Sequence, residues 1–295
     1  MKDQKKAYFY ASLVVLLWST VASAFKITLR YLDFYQLLLG ATLVSFGFFL
    51  LASLFQKKAP LLKRLTKRDY LRSFGLGFLN PFIYYAVLFK AYSLLPAQAA
   101  QPLNQTWVII LSILSIFFLK QKVGLRSILA LFVSFFGVLV ISTEGRIREL
   151  KFSNPLGVSL ALGSAIIWSL FWIYNLKDPR EDLVKMCGNF FFGLLLIITF
   201  LLFFGKLGES LVRLMNTREG LIGAIYVGLF EMGITFLLWL KALQLSENTA
   251  RISNLIYLIP FLSLIVIRLT VGERIFLSTI TGLGFIILGI MLQRR

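Results

Sequence analysis

Ten predominantly apolar stretches follow one another along this chain of 295 residues, at 7–29, 34–55, 71–94, 96–119, 125–142, 155–175, 184–204, 219–245, 247–270 and 275–292. Each is near the ~20 residues that a helix needs to cross a bilayer core. A water-soluble domain of this length cannot bury a chain that is 58% hydrophobic, so part of the solvent must be lipid. In lipid the backbone must satisfy its own hydrogen bonds within each segment, which leaves helices for runs of this length. The pattern predicts an all-α membrane protein of ten transmembrane helices. The first run has no small-residue cleavage site and is expected to stay as a spanning helix. Several links are so short that they force antiparallel hairpins, as at Leu95-Pro96 and Ser246-Glu247. Asn154-Pro155 is a good helix start, because Asn caps and Pro fits the first turn.

Composition excludes several kinds of chemistry. Cys187 is the single cysteine and there is no histidine, so the sequence offers no intrachain disulfide, no cysteine metal cluster and none of the commonest acid–base side chain. No Gly-rich phosphate loop with Lys and no Ser/His/Asp constellation stands out, which speaks against an ATP-driven motor and against an enzyme. No cofactor or metal is implied. The net charge of +18 is scattered over short loops, as expected for cytoplasmic loops and not for a nucleic-acid surface. With the N-terminus inside, 20 of the 31 Lys and Arg fall on the inner side, seven of them between Lys57 and Arg72. Both termini are therefore expected to be cytoplasmic.

The chain repeats itself. Trp18-Ser19 matches Trp168-Ser169 at an offset of 150, and Lys90-Ala91 matches Lys241-Ala242 at 151. Leu94 and Ala99 match Leu245 and Ala250 in the same register. The predicted halves are 1–145 and 153–295. Five spans is an odd number, so duplication places the halves in opposite orientation, and inverted repeats of this kind put a site at their interface near the midplane.

Glu231 stands well inside the span 219–245, too deep to reach an interface. A charge there costs at least ~2.5 kcal/mol unless it faces protein or water. It is the candidate amine- or proton-responsive group, with structural pairing to Arg251 as the bland alternative. Thr235 and Trp239 share its helix face. Arg251, with Asn254 one turn on, could hold a substrate carboxylate or phosphate, or snorkel to water. Lys90 and Lys241 are expected to be interfacial anchors. Gln98, Gln101, Asn104 and Gln105 form an amide stripe that must point inward, to line a wet cavity or join helices. Pro81, Pro102 and Pro260 release the carbonyls of Gly77, Gln98 and Ile256, as kinks or hinges. Trp18, Trp168 and Trp172 lie away from the interfacial belt where Trp gathers. Together with Tyr84, Tyr85, Trp107, Trp239 and Tyr257 they are candidates for a cavity wall suited to flat or cationic ligands. Ordinary aromatic packing is the alternative in a chain with 29 Phe.

The segments LLWST (Leu16 to Thr20), IIWS (Ile166 to Ser169), KALQLSENTARISNLIYLIPFLSLIVIRLTVGE (Lys241 to Glu273) and GLGFIILGIML (Gly282 to Leu292) resemble the drug/metabolite transporter superfamily, specifically its EamA-like ten-helix members. The first repeat departs from that pattern: Ile109 stands where Pro260 maps, and Gln121-Lys122 replaces Gly272-Glu273. The resemblance implies an inverted five-plus-five fold in the plasma (bacterial inner) membrane. It also implies alternating access and a central cavity lined by spans one, three, four, six, eight and nine. Members of the superfamily move amino acids and other small metabolites, often outward, and some relatives carry nucleotide sugars, sugar phosphates or choline.

The expected function is a secondary active transporter of small polar metabolites, an exporter of amino acids or similar compounds, with proton linkage as one option. Its partners would be a small-molecule substrate and the lipid bilayer, without nucleic acid, and the chain would act as a monomer or weak homodimer. The alternatives are a transporter of multidrug, lipid-linked or phosphorylated substrates and a non-transporting membrane scaffold.

Overall fold

A computed structural model describes residues 2–111, 114, 125–147, 154–247, 252 and 255–293. The elements are α1 (Gln4–Thr28), α2 (Phe34–Phe55), a short α3 (Ala59–Lys63), α4 (Lys67–Gly77), α5 (Tyr84–Leu94), α6 (Ala97–Gln105), α7 (Leu125–Ser142), α8 (Pro155–Leu176), α9 (Asp182–Phe203), α10 (Leu207–Asn216), α11 (Arg218–Val227), α12 (Ile234–Leu245), α13 (Ile259–Thr270) and α14 (Leu277–Gln293). No strand occurs among the described residues. Among the described residues, six helical stretches are long and apolar enough to cross a membrane: Gln4–Thr28, Phe34–Phe55, Lys67–Leu94, Pro155–Asn175, Asp182–Phe203 and Arg218–Leu245. These are the first three predicted spans of each half. Shorter apolar helices follow at Phe132–Ser142, Leu255–Thr270 and Leu277–Leu292. The outer surface is greasy, with Phe55, Leu71, Leu269 and Leu277 largely exposed, as a lipid-facing surface requires. The protein is an all-α, multi-pass membrane protein.

The helix ends follow from local chemistry. The carboxylate of Asp33 accepts from the Gln36 N–H at 2.8 Å, and the Gln36 amide oxygen accepts from the Asp33 N–H at 2.9 Å, a capping box that starts α2. Asn154 caps α8 by accepting from the Gly157 N–H at 2.8 Å, with Pro155 in the first turn as the sequence leads one to expect. The amphipathic α10 was not foreseen. Pro260 differs from expectation: it sits in the first turn of α13 after a 3-10 turn, Leu255–Leu258, so it starts a helix instead of kinking one.

The repeat shows itself as a matched pair of helix breaks. Between α4 and α5 the chain kinks within Phe78–Ile83, where Asn80 leaves helical geometry (φ −150°, ψ 119°), and between α11 and α12 a π-helical segment breaks the helix at Gly228–Gly233, 150 positions later. Each break packs on the second long helix of the other half: Phe78–Ile83 on α9, Gly228–Gly233 on α2. Close approach demands glycine at both crossings. A Cβ at Gly193 would stand 2.5 Å from Pro81 Cγ, and one at Gly228 would stand 2.6 Å from the Ala41 carbonyl oxygen. The carbonyls released at the second break find partners, as they must away from water. Ser45 Oγ lies 2.9 Å from the Gly228 oxygen, Thr235 donates to the Phe230 oxygen, and Trp18 Nε1 donates to the Glu231 oxygen at 3.4 Å.

Candidate functional site

A cavity of about 340 Å³ lies between the halves. The break at Gly228–Gly233 turns Glu231 into it, and Glu231 is the one charged residue among the described lining residues. All five tryptophans of the chain line this cavity: Trp18, Trp107, Trp168, Trp172 and Trp239. Tyr84 from the first half stacks on Trp168 from the second, with ring centroids 4.5 Å apart and planes 25° apart. Trp18 and Trp239 approach to 6.1 Å, again across the halves. Such offset contacts hold the rings as rigid walls, and an indole face attracts a cation lying over it.

Glu231 is buried, and its Oε1 accepts a hydrogen bond of 3.1 Å from the hydroxyl of Tyr85. Tyr85 is itself fully buried and stands behind the carboxylate, outside the cavity lining. No ion pair reaches Glu231 among the described residues. An unpaired carboxylate in such a place is stable when protonated or when a cation arrives to meet it.

Gln101, Asn104 and Gln105 line the cavity. Two of these also join elements: Gln101 Oε1 accepts from the Tyr92 hydroxyl at 2.7 Å, and Asn104 Nδ2 donates to Ser164 Oγ of the other half at 2.9 Å. Tyr257 completes the set of expected lining residues that the structure brings together. Gln98 is a correction. Its amide is used up by the turn before α14, donating to the Arg274 oxygen at 2.7 Å and accepting from the Phe276 N–H at 2.9 Å and the Thr279 hydroxyl at 3.1 Å. It closes one end of the bundle and does not line the cavity. Arg251 and Asn254 lie outside the described residues. Asn175, on the face of Trp168 and Trp172, is buried but not at the cavity. Lys90 stays out of the cavity, its ammonium 5.0 Å from the centroid of the Phe34 ring. Tyr92 was missed, although Tyr84, Leu88 and Tyr92 share one helix face and all line the cavity.

The end of the bundle where α1 finishes is held shut by polar contacts, one set within the first half and one between the halves. Lys26 donates to the carbonyls of Tyr92 at 2.9 Å and Leu95 at 2.7 Å, closing α5. The carboxylate of Glu273 accepts from the N–H groups of Ala97 at 2.8 Å and Gln98 at 3.1 Å, capping α6. Carbonyls at a helix C-terminus attract a cation and amides at an N-terminus attract an anion, so both charges are well placed. At the opposite end, the Asp3 N–H donates to the Leu245 oxygen at 2.8 Å and Lys2 to the Gln244 oxygen at 3.2 Å.

Comparison with known proteins agrees with this architecture. A solved crystal structure of 18% identity superposes with a TM-score of 0.64, covering 98% of this chain and 96% of its own, which speaks to the fold. An uncharacterized transporter of Archaeoglobus fulgidus is 24% identical over 98% of this chain and 99% of its own length. One from Clostridium kluyveri is 27% identical over 97% of this chain and 92% of its own. The EamA-like transporter family profile matches twice, over residues 5–143 and 155–294, and with the two halves each ordered around a matched helix break, this chain is a member of that family.

Proposed function

We propose that the protein is a secondary active exporter of small amine-bearing metabolites, amino acids or compounds like them, working by alternating access with Glu231 as the exchanging group. One observation supports this above the others: a single buried carboxylate faces a cavity walled by every tryptophan in the chain, with no described cation beside it. A carboxylate there is costly when charged and alone. It holds either a proton or the ammonium of a substrate, and the exclusion of one by the other gives a proton-linked cycle. The amino-acid reading assigns Arg251 and Asn254 to the substrate carboxylate on sequence position alone. The lysine and arginine count supports cytoplasmic termini, and export through the plasma membrane rests on the likeness to the drug/metabolite transporter superfamily.

The aromatic walls favour a second reading within transport, the movement of bulkier aromatic or multidrug-type cations. Proteoliposome flux with Glu231→Gln tests both readings. Loss of uptake and of its pH dependence is expected. An unchanged rate with an unchanged pH profile removes Glu231 from the mechanism. The tryptophans provide a separate binding signal, because a ligand in the cavity will change their fluorescence. Amines that quench it are then sorted by whether they also carry a carboxylate or a large apolar body.

A further inference from the structure

A second cleft lies at the end of the bundle where α1 begins, away from the Glu231 cavity. It has a volume of about 370 Å³ and opens between α4 with its following break and the end of α8. Leu71, Leu76 and Leu79 wall it on one side and Tyr174 on the other, while Arg72 and Lys177 stand at its rim. Leu71 and Tyr174 are exposed on the apolar outer surface. Gly75 leaves its floor open, since a Cβ there would meet nothing within 4 Å. We infer that this cleft binds an anionic phospholipid, with the headgroup phosphate between Arg72 and Lys177 and the start of an acyl chain along the leucines.

Charge and geometry select this occupant. Seven Lys and Arg fall between Lys57 and Arg72, a density that draws acidic headgroups to a membrane surface. The guanidinium fork and the ammonium both donate to phosphate oxygens without a proton change. Among the described lining residues the one carboxylate is Asp178. It is buried and taken by Arg180, whose Nη2 and Nε stand 2.5 Å and 3.0 Å from its Oδ2. Arg72 itself lies 3.9 Å from Asp69, a loose surface pair that a phosphate can displace. An aromatic ring beside a basic rim is the usual furniture of a membrane–water boundary.

The test uses the purified full-length chain in detergent, with phosphatidylglycerol, phosphatidylcholine or inorganic phosphate added, followed by thermal unfolding and native mass spectrometry. A ligand that binds only the folded state raises apparent stability. Phosphatidylglycerol is expected to raise the melting temperature saturably and to leave a one-to-one adduct. The pair Arg72→Gln with Lys177→Gln should lose both effects. Gly75→Leu, which fills the cleft and keeps its charges, should lose them too and covers the case in which the charge variant fails to fold. Arg64→Gln with Arg68→Gln removes two exposed cations of the same cluster outside the cleft and should keep both effects. The inference is overturned if phosphatidylcholine or inorganic phosphate acts equally, if Gly75→Leu changes nothing, or if the control pair weakens the adduct as much as the cleft pair.

Discussion

The halves of this protein share a backbone device and divide the chemistry. Both break their third long helix at the same place, and both press that break against the second helix of the other half. The first break is made with Asn80-Pro81, and Asn80 is fully buried away from the cavity. The second has no proline, and its released carbonyls are gathered by Ser45, Thr235 and Trp18. It carries Glu231. A related division holds at the closed end, where Glu273 of the second half caps α6 of the first. In both places the second half brings the carboxylate and the first half the donors: the Tyr85 hydroxyl and the Ala97 and Gln98 amides. Duplication supplied matching frames, and in these two places the acid that joins them comes from the second half.

Moving the acid gives the largest expected effect. Glu231→Gln should abolish coupled flux, and adding Asn80→Asp should not restore it, because position 80 does not reach the cavity. Recovery of flux in the double variant would show the halves to be interchangeable. Tyr85→Phe removes the donor and keeps the ring. A hydrogen bond to a charged group is worth roughly 1.5–3 kcal/mol, so substrate affinity measured by tryptophan quenching should fall about tenfold or more, a factor of ten being about 1.4 kcal/mol. Unchanged affinity would mean that Glu231 needs no support from the first half.

The two crossings should respond alike where the chemistry does not differ. Gly193→Ala and Gly228→Ala each push a methyl into the opposite half, and overpacking of this kind costs about 1–3 kcal/mol. Thermal unfolding in detergent checks this, and a large loss at one crossing with none at the other would break the symmetry of the frame. Glu273→Ala should cost less, about 0.5–2 kcal/mol for a lost helix cap, with Glu273→Gln recovering part of it. No change in melting temperature for the alanine variant would deny the cap a structural role.

The contrast between frame and chemistry also explains what the sequence makes legible. The helix start at Asn154, the apolar spans and the offset of 150 are local or periodic features, and they read directly. Glu231 reads because a carboxylate in an apolar run is costly wherever the run goes. The second break does not read, since Gly228 to Gly233 contains no proline and its cause lies in the packing of α2 against it. Gln98 misleads for a related reason. It keeps the spacing of the amide stripe, but the turn at 271–276 covers the first turn of α6 and only the later amides meet the cavity. Tyr84 and Tyr85 are neighbours that the sequence treats alike, while the helix turns one towards the cavity and the other behind Glu231.

The smallest effect belongs to a contact where the division of charge is reversed. Arg180, from the turn between α8 and α9, donates to Ser73 Oγ at 2.8 Å and to the Asp69 carbonyl at 3.2 Å, so here the second half supplies the donor. The same guanidinium binds Asp178. Burial works to raise the Asp178 carboxyl, but its bonds to Arg180 outweigh that and hold it below the ordinary carboxylate value. A folded-state pKa held low adds stability that is fully present above the unfolded value, about 3.9, and is lost as pH falls from there through the folded value. Wild type should therefore lose more melting temperature between pH 6 and about pH 3 than Asp178→Asn, which has no proton to take up at that position. Parallel acid limbs for the two proteins would show that Arg180 joins the halves through Ser73 and the Asp69 backbone alone, with Asp178 adding nothing.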